Sequence, residues 1–544
     1  MTDVTRSPGM ANPLHWEATD PEVLWSPGNV SEAIPGVSTA LNWSFIDDAI
    51  ELAARRAFCS IGVLRRDEVK LNDRAEQRFM VCFYGRTVAN IEAMRLIGDR
   101  MPGTSANAVE EQLFGVVRPD AVNNPSYSRI PAVAMRMPRL SSRLRSDQLG
   151  LRAQIVAWWR GSVLSPPADL PAARELMRDA RAYYTRAFEL GTLTSMLSQA
   201  LYDQVVSLAE TAGRPGLERR LVTGYSDLVE TGLVTDLWKL AQGESDLASF
   251  LLRHGFHGPD EGQMASRVWR EQPGPLLALT ERYSALGSET HPAVAERRQL
   301  AVRQEAEAAL FGALGRLRAP AARLVLRLAK ALIPQREVGK ANYTQCLDGA
   351  RIAARVIGRE FAAAGLLDNP DDVFGLTYEE LVADATPSEP RALAAEREAI
   401  RADYATTELA DKWTGPPTRV TIGSAETQSA TNGSDPIQGE PVGGGSVTAR
   451  VRIVVDPAIE DLEPGEILVC RSTDPGWVSL FHLAAGIAVD MGGTMSHGAI
   501  VARELGLPCV TCTVDGTRRL RTGDLVRLDG DGGRIDIIER EAVT

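Results

Sequence analysis

The chain has 544 residues, 44% of them hydrophobic and 24% charged, with a formal net charge of -12. That length and balance describe a globular protein of two to four domains with a sizeable core, and exclude a disordered or collagen-like chain. The acidic balance weighs against nucleic acid or an anionic membrane as partner, and no apolar run reaches the ~18 residues of a spanning helix.

The start of the chain, Met1-Thr2-Asp3-Val4-Thr5-Arg6, is polar and lacks the apolar core of a signal peptide, so a cytoplasmic location is the default expectation. Residues 1–20 read as a loose tail. From 21 to 415 the chain is rich in Ala, Leu, Arg and Glu. In Ala295–Ala306 apolar residues recur at three and four positions with charges between, so 21–415 is expected to be one large, mainly helical domain in one lobe or two. Within it, Pro334 suits the first turn of a helix that puts Arg336 and Lys340 on one stripe with Glu337 beside them. Two cations and a base so placed suit deprotonation of a hydroxyl next to an incoming phosphoryl group, with Glu337 as the base. His254, His257 and Glu261 are of metal-ligand type, but Gly255, Gly258 and Pro259 break any helix that would set their geometry. They read instead as a pocket-lining loop, and no metal is assigned to the chain.

Residues 416–446 change character. Gly415-Pro416-Pro417, the polar stretch Thr427 to Pro436 and Gly443-Gly444-Gly445-Ser446 have little to bury and read as a flexible linker. From 447 to 544 short strands alternate with helices, which makes a small α/β domain. Strands are expected at 447–455, 467–470, 486–490, around Cys509, at 524–529 and at 533–538. Cys509-Val510-Thr511-Cys512 lies in a buried-strand pattern with no second pair, so its thiols read as small core groups rather than a redox or zinc half-site.

The most informative stretch is Gly492-Gly493-Thr494-Met495-Ser496-His497-Gly498, running on to Leu507-Pro508. Two glycines allow close backbone approach, Ser496 is an N-cap residue, and a helix over 498–505 ends at Gly506. His497 therefore sits where a helix starts, and the N–H groups and positive dipole end there favour an anion. A free imidazole has a pKa of about 6.5 and is largely neutral at pH 7, so it is able to accept a phosphoryl group.

Pro464–Val469, Thr473-Asp474-Pro475-Gly476-Trp477, Gly492–Gly498 and Ala502–Pro508 together resemble the swivelling phosphohistidine domain of phosphoenolpyruvate-utilising enzymes. Gly498 departs from that pattern, where alanine is usual. The helical region resembles the substrate-binding domain of rifampin phosphotransferase through Asn29–Gly36, Tyr84–Asn90, Gly255–Glu261, Arg336–Lys340 and Asp371–Thr377. The resemblance implies a large helical acceptor-binding domain followed by a small α/β domain that carries phosphate on His497. It implies phosphoryl contacts from Gly492, Gly493, Thr494, Ser496 and Arg503, and an acceptor pocket that includes His257, Glu261, Tyr84, Arg86 and Asn90. Neither an ATP-grasp domain nor a phosphoenolpyruvate-binding barrel is recognisable. A separate ATP-grasp-like subunit is therefore expected to supply ATP and Mg2+, a split layout similar to that of phenylphosphate synthase. The acceptor would be a small hydroxylated molecule such as a phenol or cresol. A rifamycin-type antibiotic and a non-catalytic ligand-binding role are the alternatives.

Overall fold

The computed structural model describes residues 12–28, 30, 34–102, 104–114, 117–118, 121–225, 229–287, 290–421, 435–455, 462–473 and 475–541. The first part of the expected tail (1–11), the middle of the expected linker (422–434), and Asn29, Ser31, Glu32, Ala33 and Asp474 of the quoted motifs lie outside these. The chain forms two compact units: Met1–Leu193, Gly262–Ser266 and Gly339–Ser429 make the first; Thr194–Glu261, Arg267–Val338 and Ala430–Thr544 make the second. The fold class expected from the sequence holds, with a mainly helical region followed by a small α/β portion. Among the described residues, no helix is long and apolar enough to cross a membrane.

The first unit contains the helix Ala40–Ile61. Thr39 starts it by accepting the Asn42 N–H, and Gly62 ends it in the left-handed region at φ 104°. A sheet accompanies the helices, in the order β2 (Met80–Phe83), β3 (Arg86–Asn90), β1 (Leu24–Ser26), β5 (Trp413–Thr414), and a two-stranded pair joins β4 (Thr407–Glu408) to β6 (Val420–Thr421). Residues expected as tail are packed in: Leu14 and Trp16 are buried, because their side chains are apolar, and the Asn12 amide donates to the Tyr404 hydroxyl at 2.9 Å. Deep in this unit a fully buried ion pair joins Arg351 to Asp348 at 2.6 Å. Trp159 Nε1–H donates to the other Asp348 oxygen at 2.7 Å, and Arg351 also donates to the Met264 and Gln263 carbonyls. Asp348→Ala strands the guanidinium, and the expected loss is about 3–5 kcal/mol of stability, read from urea unfolding.

The second unit is built on an eight-stranded sheet. Its strands are β7 (Ile437–Gln438), β8 (Glu440–Gly443), β9 (Ser446–Ile453), β10 (Ile467–Cys470), β11 (Gly486–Val489), β12 (Cys509–Thr511), β13 (Leu525–Asp529) and β14 (Arg534–Glu539). They are ordered β7-β14-β13-β9-β10-β11-β12-β8. β9 to β12 run parallel, and β8 and β13 pair antiparallel at either side. β10, β11 and β12 are buried along their whole length and apolar except for Thr511, as central parallel strands tend to be. Two expectations change here. The glycine-rich segment before 447 is not all linker, since β7 and β8 are hydrogen-bonded members of the sheet. The helical region also divides between the two units rather than standing wholly apart from the α/β portion. Helices between 194 and 338 share a core with the α/β portion, as in the cluster of Leu233, Leu237, Trp238 and Phe250 with Val478, Phe481, Ile487 and Val501. Apolar stripes on those helices need cover, and the α/β portion supplies it.

Candidate active site

His497 is set by local chemistry at the C-terminal end of β11. The buried Asp490 carboxylate accepts the Thr513 hydroxyl at 2.6 Å and the Thr517 backbone N–H, which pins the start of the loop. Gly492 takes φ 124°, a conformation that a side chain would disfavour, and its carbonyl accepts the Cys512 thiol. Gly493 C=O accepts the Ser496 N–H at 2.8 Å. Ser496 then caps the helix His497–Leu505, its hydroxyl accepting from the Ala499 N–H, and Gly506 closes it at φ 70°. The expected cap and stop are the observed ones, and the helix starts one residue earlier than expected, at His497. Gly498 has a reason in this fold: a Cβ there would approach the Thr473 hydroxyl oxygen to 2.6 Å.

Tertiary structure adds two carboxylates. The helix Gln335–Ala363 carries Glu337 in its first turn. Glu337 Oε2 lies 2.6 Å from His497 Nδ1, with the two side chains 2% and 3% exposed. Glu230, on the helix Val229–Ala241, is fully buried. One donor atom each from Glu230, Glu337 and His497 lies within 4.8 Å of the other two, close enough to hold a metal ion. Sequence reasoning missed Glu230, yet a signal existed. It stands three, four, seven and eight residues before Leu233, Val234, Leu237 and Trp238, so it is an acid on an otherwise apolar stripe. An ionised Glu337 accepts the proton on Nδ1, which leaves the lone pair on Nε2. That nitrogen is then the nucleophile, and the carboxylate balances the charge that the ring gains when a bond forms. A cation at the three donors would compete for Nδ1.

The other expected residues fall in several places. The Thr494 side chain neighbours the Tyr202 hydroxyl. Arg503 is buried and its Nη2 meets the Met495 sulfur at 3.6 Å. It lies six residues along the helix from His497, about 9 Å further on and on another face. Arg336 is half-buried beside Glu337. Lys340, one turn later, belongs to the first unit. His257 and Glu261 do not form an open pocket loop but a buried pair at 2.8 Å, and His254 pairs likewise with Asp236 at 2.8 Å. Tyr84, Arg86 and Asn90 belong to the first unit and are engaged in its folding. Tyr84 stacks on His15 with centroids 4.2 Å apart. Arg86 donates to the Tyr84, Tyr404 and Thr407 carbonyls. Asn90 caps the helix Ile91–Arg100 and donates to Glu76 C=O at 2.9 Å. Side chains so engaged have little left to offer an acceptor. Cys509 is buried in its strand, and burial pushes its thiol up to about 12.

The helix of His497 also carries a titrating group. Burial pushes the Glu504 carboxyl up to about 8, against the pull of the Tyr225 N–H and Arg503. The ordinary value in an unfolded chain is about 4.3. Between these values the folded state keeps a proton that the unfolded state has released, so stability falls as pH rises through the window, by up to about 1.4 kcal/mol per pH unit. Urea midpoints measured from pH 5 to 8.5 are expected to decline, and Glu504→Gln to flatten the decline.

Comparison with known proteins follows this geometry. Residues 462–533 match the mobile domain of PEP-utilising enzymes. Residues 207–337 match the fourth domain of rifampicin phosphotransferase and end on Glu337 itself. An uncharacterised protein of Mycobacterium tuberculosis is 38% identical over 222 residues, 40% of this chain and 25% of that protein. A rifampicin phosphotransferase of Streptomyces sviceus is 31% identical over 308 residues, 54% of this chain and 34% of that protein. The prodigiosin synthesizing transferase PigC of Serratia marcescens is 30% identical over 349 residues, 62% and 38% respectively. The chain thus spans about a quarter to two fifths of the length of these relatives.

Proposed function

We propose that this chain is the phosphohistidine-bearing, acceptor-binding component of a phosphotransferase. The observation that carries the reading is His497 at the first turn of a helix inside the matched mobile domain, its Nδ1 held at 2.6 Å by Glu337 of the matched fourth domain. In the first step His497 Nε2 attacks a phosphorus of ATP, presented with Mg2+ by a separate ATP-grasp-like polypeptide. An N–P bond forms, a P–O bond breaks, and the nucleotide part leaves. Gly492, Gly493, Thr494 and Ser496 surround the phosphoryl group. In the second step the phosphorylated ring swings off Glu337, an acceptor hydroxyl attacks the same phosphorus opposite Nε2, the freed Glu337 takes its proton, the N–P bond breaks and the imidazole is restored. Arg336 balances charge in this transfer.

The acceptor in this reading is a small hydroxylated molecule, a phenol or cresol first. The relatives that bear the name rifampicin phosphotransferase favour a second reading with a rifamycin-type acceptor. A non-catalytic ligand-binding homologue is the third reading, and buried histidine–carboxylate pairs elsewhere in the unit show that such a pair alone does not decide against it.

The test is a label and a chase. The protein is mixed with candidate ATP-grasp polypeptides, labelled ATP and magnesium, and acid-labile, base-stable phosphate is sought on His497. Phenol, cresol and rifampicin are then added. Label on His497 that moves to one of them supports the reading and names the acceptor class. If no pairing puts phosphate on His497, the reading is wrong.

A further inference from the structure

At the C-terminal end of the His497 helix the second unit has a cleft of about 690 Å³, lined by Arg503 and Gly506. Its charge is one-sided: Arg214, Arg219, Arg220, Arg298 and Arg503 line it, against Asp531. Arg214, Arg220 and Arg298 are exposed, whereas Arg503 is 5% exposed. Arg220 is paired with Glu305 at 3.0 Å, and Arg219 donates to the Asp531 carbonyl. Arg503 stands apart: its Nε and Nη1 are buried and make no hydrogen bond. A buried guanidinium edge with no acceptor costs several kcal/mol, which an anion offsets. Glu218, next to Arg219 in sequence, has its Oε2 accepting the Gly216 N–H at 2.8 Å.

The bland alternative is that these arginines balance the negative end of the helix dipole. That effect is about 0.3–1 kcal/mol, needs one cation, and would have the guanidinium on the terminal carbonyls. Arg503 turns instead toward Met495, nearer the helix start. The cleft also has a bare backbone wall. Gly443, Gly444 and Gly445 lie at φ 121°, 91° and 82°. A Cβ on Gly445 would meet nothing within 4 Å and one on Gly443 only Asp531, whereas one on Gly444 would run into the Leu507 carbonyl oxygen at 2.2 Å. At Gly443 and Gly445 glycine answers to conformation and leaves room beside the backbone for a bulky ligand. The volume suits a small molecule rather than a single ion.

We propose that this cleft binds a polyphosphate-bearing small molecule, either inorganic pyrophosphate or the phosphate tail of a nucleotide, at a site separate from His497. Calorimetry on the full chain at low ionic strength, with pyrophosphate and with ADP as probes, tests it. Saturable binding of one molecule per chain is expected. ADP binding more tightly than pyrophosphate assigns the site to a nucleotide, and equal or weaker ADP binding assigns it to the inorganic ion. The pair Arg214→Glu and Arg298→Glu, both exposed and tolerable to the fold, is expected to weaken binding at least tenfold, as is Arg503→Gln. His497→Ala is expected to leave the affinity within twofold. The proposal is overturned if neither probe binds, if the exposed pair of reversals leaves affinity unchanged, or if His497→Ala abolishes binding. Should Arg503→Gln fail to fold, the exposed pair alone decides.

Discussion

Replacing His497 with alanine is expected to remove all acid-labile phosphate from the protein and to lower phosphoryl transfer in the reconstituted system by about 10⁴-fold or more. The size follows from the chemistry. A covalent intermediate requires a nucleophilic nitrogen, and neither Glu337 nor Glu230 beside it replaces one, because an acyl phosphate would form between two buried carboxylates that repel the incoming charge. Alanine also leaves Glu337 buried without the imidazole, so a loss of activity by itself does not separate lost chemistry from misfolding. His497→Asn separates the two causes. Its amide keeps an N–H in reach of Glu337 but offers no basic lone pair, so the variant is expected to unfold at the urea midpoint of the unaltered protein and still carry no label. Label or turnover at the normal rate in either variant would remove the basis of the proposed function.

Glu337→Gln is expected to cost about 10²–10⁴-fold in transfer with little change in the acceptor concentration needed for half-maximal rate. The carboxylate has two tasks in the proposed cycle. It holds the Nδ1 proton at 2.6 Å, a charge-assisted contact that fixes which ring nitrogen is free. It then takes the proton of the acceptor hydroxyl. Glutamine keeps the shape and loses both, since a neutral amide neither balances the imidazolium charge nor removes a proton. Single-turnover rates from pre-labelled protein measure the second task, and the rate of label uptake measures the first. A loss below tenfold in both would assign Glu337 a packing role and move the base elsewhere, with Glu230 the nearest carboxylate.

The legible parts of this protein were those in which neighbours in sequence decide the outcome. The helix at His497 was readable because an N-cap serine, two glycines before it and a glycine after it each act within a turn, and all of them appear at the expected residues. β10, β11 and β12 were readable because central parallel strands are short and apolar on both faces. Composition misled where it stood in for contacts. Gly443 to Gly445 have the make-up of a tether, but β7 and β8 beside them are paired in the sheet through backbone groups that every residue carries. Trp16 and Leu14 sat in a polar context and read as tail, yet two apolar side chains are enough to anchor a segment. Arg86 and Asn90 are residue types that often meet ligands, and here they serve carbonyls and a helix end.

By itself, then, the sequence determined the class of fold, the helix start that exposes one imidazole to charge, and the resemblance that links that ring to phosphate chemistry. All of these rest on short-range backbone preference and hydrophobic period. Only the tertiary structure decided which groups meet the ring. Glu337 lies 160 residues away. Glu230 reaches it from a different helix, and the same packing gathers arginines from three stretches of chain around one cleft. Such encounters are set by how apolar faces cover one another across long separations, and no local pattern encodes which faces will meet.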